Sequence, residues 1–323
     1  MTLLYDEVLK YEYLFRLNRT LDYIRDNCTE DLTLTKLAKV ACFSKYHFHR
    51  IFRTLLGETV NRYVRRVRLE KAVRMLTFDK DKSIIDIALD CGFSSSQNFA
   101  KAFKVHFGVT PTYVRTEYNW GRMKNMLAEA ESDDWKAVPS RGAPNTDDTR
   151  LHSVPSIKRI VEQRASLPVR VTEMPIYRVA YARTIGPYCL ETAEPAFVQL
   201  LQWAMPRGLL NEKTLILGVL RNDPNITPAD KCIYDACITI PESVRSDGRI
   251  NVQSLGGGKF AVYHCEIDPD EHHKAWMRLI IHWLLSSGYQ PDSGPYYEII
   301  YNITGEYPPR RHIVDLCLPI RPS

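Results

Sequence analysis

No stretch of this 323-residue chain holds the roughly 18 consecutive apolar residues that a membrane-spanning helix requires. The opening MTLLYDEVLKYEYLF places acids ahead of any apolar run and lacks a small-residue cleavage site, so a secretory signal is not expected. Its 8 cysteines are scattered and contain no C-x-x-C pair; Cys232 and Cys237 bracket one strand-like stretch. That pattern argues against a zinc site or a disulfide framework and for reduced thiols in a cytosol. His272, His273 and His282 miss both the H-E-x-x-H spacing and any i, i+4 pair, and are expected on a solvated helix face. Gly256-Gly257-Gly258-Lys259 lacks the spacer and the following hydroxyl of a phosphate loop, so a turn leading into a strand is the better reading. No Ser/His/Asp order suggests a triad. Neither a metal nor an organic cofactor is expected, nor is an enzyme.

What is present is ordinary in bulk and uneven in distribution. At 45% hydrophobic and 25% charged, the composition excludes wholesale disorder. The length fits about two domains of roughly 150 residues. The net charge of +5 is concentrated. Residues 31–117 hold 16 lysines and arginines against 8 acids, while the segments on either side are slightly negative. A basic block in a near-neutral chain points to a polyanionic partner for that block. Residues 1–117 keep helical periodicity throughout. Residues 118–166, rich in Pro, Ser, Asp and Asn from 132 onward, read as a linker, part of it helical over 118–131. From 167 to 323, β-branched and aromatic runs such as VRVTEMPIYRVAYARTI and CIYDACITI read as strands.

Both folded parts repeat internally. Leu37-Ala38-x4-Phe43 returns as Ile87-Ala88-x4-Phe93, and Phe48-x2-Ile51-Phe52-x4-Gly57 returns as Phe99-x2-Ala102-Phe103-x4-Gly108. Each copy reads as helix, tight turn, helix. Ser44 fits an N-cap, with Phe43 placed to staple on Phe48. Phe48, Ile51, Phe52 and Leu55 are expected to form the buried stripe of the second helix. Its opposite face then carries Lys45, Tyr46, His49, Arg50 and Arg53. In the second copy that face carries Ser96, Gln97, Asn98, Lys101 and Lys104. Short polar groups flanked by cations are what a helix reading the major groove requires. Arg50 and Lys101 are the expected base-reading cations. Between the copies, residues 60–76 predict a helix of about 25 Å bearing Arg62, Arg65, Arg66 and Arg68, of which Arg62, Arg65 and Arg66 meet phosphates or solubilise the helix. Such a helix sets the two reading helices about one DNA turn apart, ~34 Å. In the C-terminal part, strand–helix–strand–strand is expected twice. Strands near 169–185, 214–221 and 232–240 surround a helix at 191–207. Strands near 258–267, 295–302 and 311–320 surround a helix at 270–287.

The stretch SIIDIALDCGFSSSQNFAKAFKVHFGVTPTYVR (83–115) resembles the signature of the AraC/XylS family of bacterial transcription regulators. Its conserved-type elements fall at Ile87, Ala88, Gly92, Phe93, Phe99, Phe103, Lys104, Gly108 and Pro111. The resemblance implies seven helices with two helix-turn-helix units that bind an asymmetric double-stranded DNA site as a monomer. It also implies RNA polymerase as a partner, and a cytoplasmic location. Cys42 stands where Gly92 stands in the second copy, so a looser first turn is expected.

Residues 168–320 resemble the GyrI-like, or SHS2-type, effector-binding domain. The resemblance is carried in order by Tyr181-x-Arg183-x2-Gly186-Pro187-Tyr188, Gly218-Val219-x3-Asp223-Pro224, Tyr234-Asp235-Ala236-Cys237, Gly257-Gly258-Lys259-Phe260-Ala261-Val262, Trp283-x4-Ser287-Gly288-Tyr289 and Gly294-Pro295-Tyr296-Tyr297-Glu298. The implied architecture is multidomain, an all-α double helix-turn-helix domain followed by an α+β domain of two pseudo-symmetric β-α-β-β units. A junction between two such halves is a common place for a pocket. Glu298, Tyr181, Tyr188, Trp203, Trp283 and Tyr296 are the expected effector contacts, with Glu298 favouring a lipophilic or cationic small molecule. Arg310 and Arg311 are the nearest cations in sequence that would neutralise Glu298 instead. Where the family usually has an aromatic two residues after this Glu, the chain has Ile300, and the family's Asn-x-Pro is absent from Asn302-Ile303-Thr304-Gly305. The expected function is a sequence-specific DNA-binding transcription regulator controlled by a small-molecule effector. The alternatives are hydrolysis of a small electrophile with Glu298 as general base, or capture of a protein partner.

Overall fold

A computed structural model describes residues 2–79, 81–117, 167–224, 226–284, 287–302 and 311–322, with side chains described from residue 11 onward. The linker expected over 118–166 and the Arg310 alternative for Glu298 lie outside the described residues.

The helical half comprises α1 (Thr2–Asp26), α2 (Leu34–Val40), α3 (Lys45–Leu56), α4 (Val60–Phe78), α5 (Ile84–Asp90), α6 (Ser96–Phe107) and α7 (Pro111–Glu117). Each start from α2 to α6 is fixed by a hydroxyl that accepts an otherwise orphaned backbone N–H: Thr33, Ser44, Thr59, Ser83 and Ser95. The two reading helices stop alike, at Gly57 and Gly108, both left-handed. Around α1 to α4 lies one core, with Leu21, Ile24, Leu37, Phe48, Phe52 and Tyr63. A second core, around Leu69, Leu76, Ile87, Phe99 and Phe103, fills the space between α4 and α7. The α4 helix contributes to both, so it is a rigid spacer between them, about 29 Å long at 1.5 Å per residue.

Three local expectations change. Leu56, not Leu55, completes the stripe of α3; Leu55 is 40% exposed, because i+8 from Phe48 faces the core at this crossing. Phe43 packs edge-on against His47 and Tyr13, while the corresponding Phe93 does pack on Phe99. The first turn is not looser. Cys42 takes a left-handed φ of 54° where Gly92 has 78°, and Phe43 N–H reaches Ala38 O at 2.9 Å as Phe93 N–H reaches Ala88 O at 3.0 Å. The turn geometry is preserved, and Cys42 absorbs the backbone strain that a glycine avoids.

The C-terminal half comprises β1 (Val169–Ile185), α8 (Leu190–Ala204), β2 (Ile216–Leu220), β3 (Ile233–Thr239), β4 (Asn251–Ile267), α9 (His272–Arg278, extended by a wide turn over Leu279–Trp283), β5 (Tyr289–Pro291), β6 (Tyr296–Ile300) and β7 (His312–Pro322). Strand order is β4-β1-β3-β2-β6-β7-β5, and β4 also pairs with β7, so six antiparallel strands close into a ring. The two units are β1-α8-β2-β3 and β4-α9-β6-β7, joined through the β1–β4 and β2–β6 pairings. Register makes their equivalence specific. Asp235 faces Arg183 and Val219 as Asp315 faces His264 and Ile299. Inside the ring lie Val179, Tyr181, Leu217, Val262, Tyr297 and Cys317. On its outside α8 buries Ala196, Leu200 and Trp203, and α9 buries Ala275, Trp276 and Leu279.

The glycine run is not the entry to a strand. Gly256, Gly257 and Gly258 sit in the middle of β4 opposite Pro175, at φ of 82°, 87° and 94°. Proline has no N–H to offer the ladder, and only glycine holds these angles without a clash. A Cβ on Gly257 would come within 2.7 Å of Ile176.

The halves dock. Ile233 joins the first helical core and Ile226 packs on the second. Between β2 and β3, Thr227 Oγ1 donates to Glu70 Oε1 at 2.7 Å and Asn222 Nδ2 to Glu70 Oε2 at 3.1 Å. Lys231 Nζ donates to Leu56 O, the last carbonyl of α3, at 2.7 Å.

Candidate DNA interface and effector site

On α3, Lys45, Arg50 and Arg53 are exposed, Tyr46 is 88% exposed, and His49 is half-buried. On α6, Gln97, Asn98, Lys101 and Lys104 are exposed and Ser96 is half-buried. The positions sequence reasoning assigned to DNA therefore share the outward faces of two capped helices. Among the described residues none of their cations enters an ion pair. Arg50 meets His47 Nδ1 at 3.4 Å, and Asn98 Nδ2 donates to Ser94 Oγ at 3.1 Å. Both contacts are exposed and neither is an ion pair, so they cost little to exchange for a base or a phosphate.

Four of the five arginines of α4, those in its first half, part company. Arg62 and Arg65 are exposed. Arg66 is buried and holds Glu58 at 2.8 Å and Glu70 at 2.9 Å. Burial opposes its charge, but the two carboxylates overcome that and raise its pKa further. Arg68 donates to the Cys28 and Glu30 carbonyls, both at 2.7 Å. A phosphate contact is thereby ruled out for Arg66, because its guanidinium faces inward at the one point where α4 meets both cores.

The six residues expected to hold an effector do not meet. Tyr181 lies inside the ring, and its hydroxyl donates to Asp22 of α1. Tyr188 packs beneath α8, and Trp203 lies on that helix's own buried face. Asn222 N–H donates to the Tyr188 hydroxyl at 2.9 Å, and Trp203 Nε1 donates to Asp247 at 2.7 Å. Trp283, Tyr296 and Glu298 lie on the α9 side, with Trp283 stacked on Tyr289 and Tyr296 on Trp276. Glu298, 4% exposed, already has its donors: Trp276 Nε1 at 2.8 Å and His272 Nδ1 at 3.0 Å. His272, expected on a solvated face, is turned inward and continues to His312 Nδ1 at 2.7 Å. Burial alone would depress His272, yet the Glu298 carboxylate prevails and raises its pKa. His312 is lowered by burial and by His272. The counter-charge beside Glu298 is thus His272 of the same domain, while Arg311 pairs with Glu266 and Asp268.

A second group of charges went unassigned in the sequence. Arg183 grips both oxygens of Asp235, Nε at 2.6 Å and Nη2 at 2.8 Å, while Arg221 Nε reaches Asp235 Oδ2 at 2.8 Å. Arg183 Nη2 also reaches Asp22 of α1 at 2.7 Å. Burial works against ionising Asp235, and the two guanidiniums outweigh it, holding the carboxyl well below its usual range. Between α1 and this end of the ring lies a cavity of about 610 Å³, lined by residues of both halves. The pseudo-equivalent Asp315 has a more exposed set of partners: His264 Nδ1 at 2.6 Å and Tyr301 hydroxyl at 2.9 Å.

Comparison with known proteins agrees with this geometry. Residues 37–117 match a helix-turn-helix domain family, and residues 167–321 match the GyrI-like small molecule binding domain. The probable transcription factor PqrA of Proteus vulgaris is 43% identical over 86 residues, which is 27% of this chain and 70% of that protein. The transcriptional activator AarP of Providencia stuartii is 36% identical over 106 residues, 32% of this chain and 78% of that protein. The chain belongs to the AraC family of transcription regulators. It joins an AraC-type DNA-binding half to a GyrI-like small-molecule-binding half. The right origin-binding protein of Escherichia coli K12 is 34% identical over a longer stretch, 146 residues, covering 44% of this chain and 50% of that protein.

Within this AraC-family regulator, the buried network did leave a trace in the sequence. Tyr234-Asp235-Ala236-Cys237 and Val314-Asp315-Leu316-Cys317 share Asp-x-Cys at an offset of 80 residues. A carboxylate repeated within two apolar strand runs signals a buried partner, since an unpaired charge there is prohibitively costly. Arg183, one strand earlier, is the residue that answers it.

Proposed function

We propose that this regulator reads DNA through α3 and α6, each entering its own major-groove segment, with Arg50 and Lys101 contacting base edges and Arg62 and Arg65 contacting phosphates. The observation that carries the reading is the pairing of two outward helix faces, cationic and polar, whose opposite sides close two separate cores. Monomeric binding to an asymmetric site follows, since one chain supplies both reading helices and they differ in side chains. Residues 1–117 form the DNA-binding domain and 167–323 the effector domain, with 118–166 between them. RNA polymerase is the protein partner and the cytoplasm the place of action. Binding rather than turnover is the role of the effector domain. The proposed general base, Glu298, is committed to two donors beneath α9, which supports that choice.

Selection of bound duplexes from random sequence, followed by alanine substitution, tests the proposal. Arg50→Ala and Lys101→Ala each weaken the best site by about 1–3 kcal/mol and relax preference at different base pairs. The two sets of positions lie about ten base pairs apart. Relaxation at the same positions, or unaltered preference, refutes the assignment.

A further inference from the structure

We infer that the cavity between α1 and the strand ring is a binding site for a small organic anion with an apolar body, completed by residues of the DNA-binding half. The inference rests on the regulator reading above and names the ligand class of its effector site. At about 610 Å³ the space suits a small-molecule ligand, for which ~300–1,000 Å³ is usual. Tyr23, Val40, Val252 and Pro295, each partly exposed, supply an apolar wall. From α1 come Arg19, Asp22, Arg25 and Asp26.

The charge balance decides the sign of the ligand. Arg183, Arg221, Asp235 and Asp22 satisfy one another and are neutral as a unit. Around the cavity there remain Arg19, Arg25 and Lys259 against Asp26 and Asp292. Burial and the nearby Asp22 raise the pKa of Asp26, which lowers the cost of neutralising it. Arg25 Nη1 is buried and finds no hydrogen-bond acceptor among the described residues; its nearest carboxylate oxygen, on Asp22, is 3.7 Å away. A donor in that condition is stabilised by an incoming oxyanion and repelled by a cation. Arg19 likewise has no ion pair among the described residues, and Lys259 rests over the Tyr289 ring at 6.0 Å. In place of the apolar cleft with a central acid expected from Glu298, this site is a cleft of mixed polar and apolar lining with cations at its α1 wall. Because α1 belongs to the helical half, a ligand here contacts both halves at once, and linkage then ties its affinity to that for DNA.

A matched pair of probes separates the signs: naphthalene-1-carboxylate and 1-naphthylmethylammonium, titrated by calorimetry into the full chain. The carboxylate binds and the ammonium binds at least ten-fold more weakly. Arg25→Gln reduces carboxylate affinity about ten-fold without improving DNA binding to a selected site, and Glu298→Gln leaves it unchanged. Arg19→Gln is the second variant, and it lowers carboxylate affinity in the same direction should Arg25→Gln fail to fold by circular dichroism. Preference for the ammonium, insensitivity to both arginine substitutions, or loss with Glu298→Gln overturns the inference. Sequence-specific DNA binding is measured alongside: if it persists while the carboxylate fails to bind, the cavity assignment falls and the regulator reading stands. If specific DNA binding is itself absent, the regulator reading falls.

Discussion

Asp235 and Asp315 occupy equivalent places in the two units, yet their surroundings give them different weights. Asp235 is 0% exposed and bound by two arginines that are themselves almost wholly buried. Removing one charge of such a cluster leaves the others uncompensated, so Asp235→Asn costs about 3–5 kcal/mol of folding stability. The partners of Asp315 reach solvent, with the His264 and Arg170 side chains 64% and 69% exposed, so Asp315→Asn costs about 1 kcal/mol. Urea unfolding of both variants checks the ordering, and equal losses contradict it. Glu298 belongs to the same scale. A histidine whose pKa is raised on folding adds stability fully present below its unfolded pKa of about 6.5, and that stability fades as pH climbs through the higher folded value. The gap in Tm between the native chain and Glu298→Gln is therefore widest near pH 6 and narrows toward pH 9. A gap that widens with pH shows that His272 does not carry the charge.

At the scale of elements, α4 shows how one helix divides its labour by face. Its outward arginines and its buried one have the same side chain and opposite predicted consequences. Arg62→Ala and Arg65→Ala weaken DNA binding evenly across sequences and flatten the salt dependence by about one unit of slope each, with stability unchanged. Arg66→Ala leaves Glu58 and Glu70 unpaired and costs about 3–5 kcal/mol of stability. Filter binding at several salt concentrations, with thermal unfolding, distinguishes them; a salt-slope change for Arg66→Ala without destabilisation refutes the division. Periodicity, the internal repeat and the Ser44 cap made the two helix-turn-helix units and the helix between them readable, because those signals are local. The fate of Arg66 was unreadable for the converse reason. Whether an arginine turns inward depends on Glu58, eight residues away, and on Asn222 and Thr227 holding Glu70 from the other half. The Asp235 network and the inward turn of His272 share that dependence on strands and helices distant in sequence. Aromatic residues misled for a further reason: they fill cores on both faces of a sheet, and a count of them does not reveal which face is a cleft.

The whole molecule is held by a small number of polar contacts between halves that each have their own core. Asp22 enters the Arg183 network, Glu70 receives Thr227 and Asn222, and Lys231 caps the carbonyl at the end of α3. Hydrogen bonds to charged groups contribute about 1.5–3 kcal/mol each, a large share of the stability of a marginal domain. The intact chain is therefore expected to unfold in one calorimetric transition, its halves coupled through this interface. Thr227→Val preserves shape and removes the donor to Glu70; Lys231→Met does the same for the Leu56 carbonyl. Neither substitution touches a reading helix side chain or the cavity. Combined with Asp22→Asn, they weaken three of the polar contacts across the interface, and the single transition should resolve into two, the helical half and the strand ring melting separately. Affinity for a selected DNA site is retained at temperatures below both transitions, because α3 and α6 keep their own cores. Two transitions already present in the native chain would show that the interface does not couple the halves and that an effector signal must travel by another route; one transition that survives all three substitutions would show that these polar contacts are not what couples them.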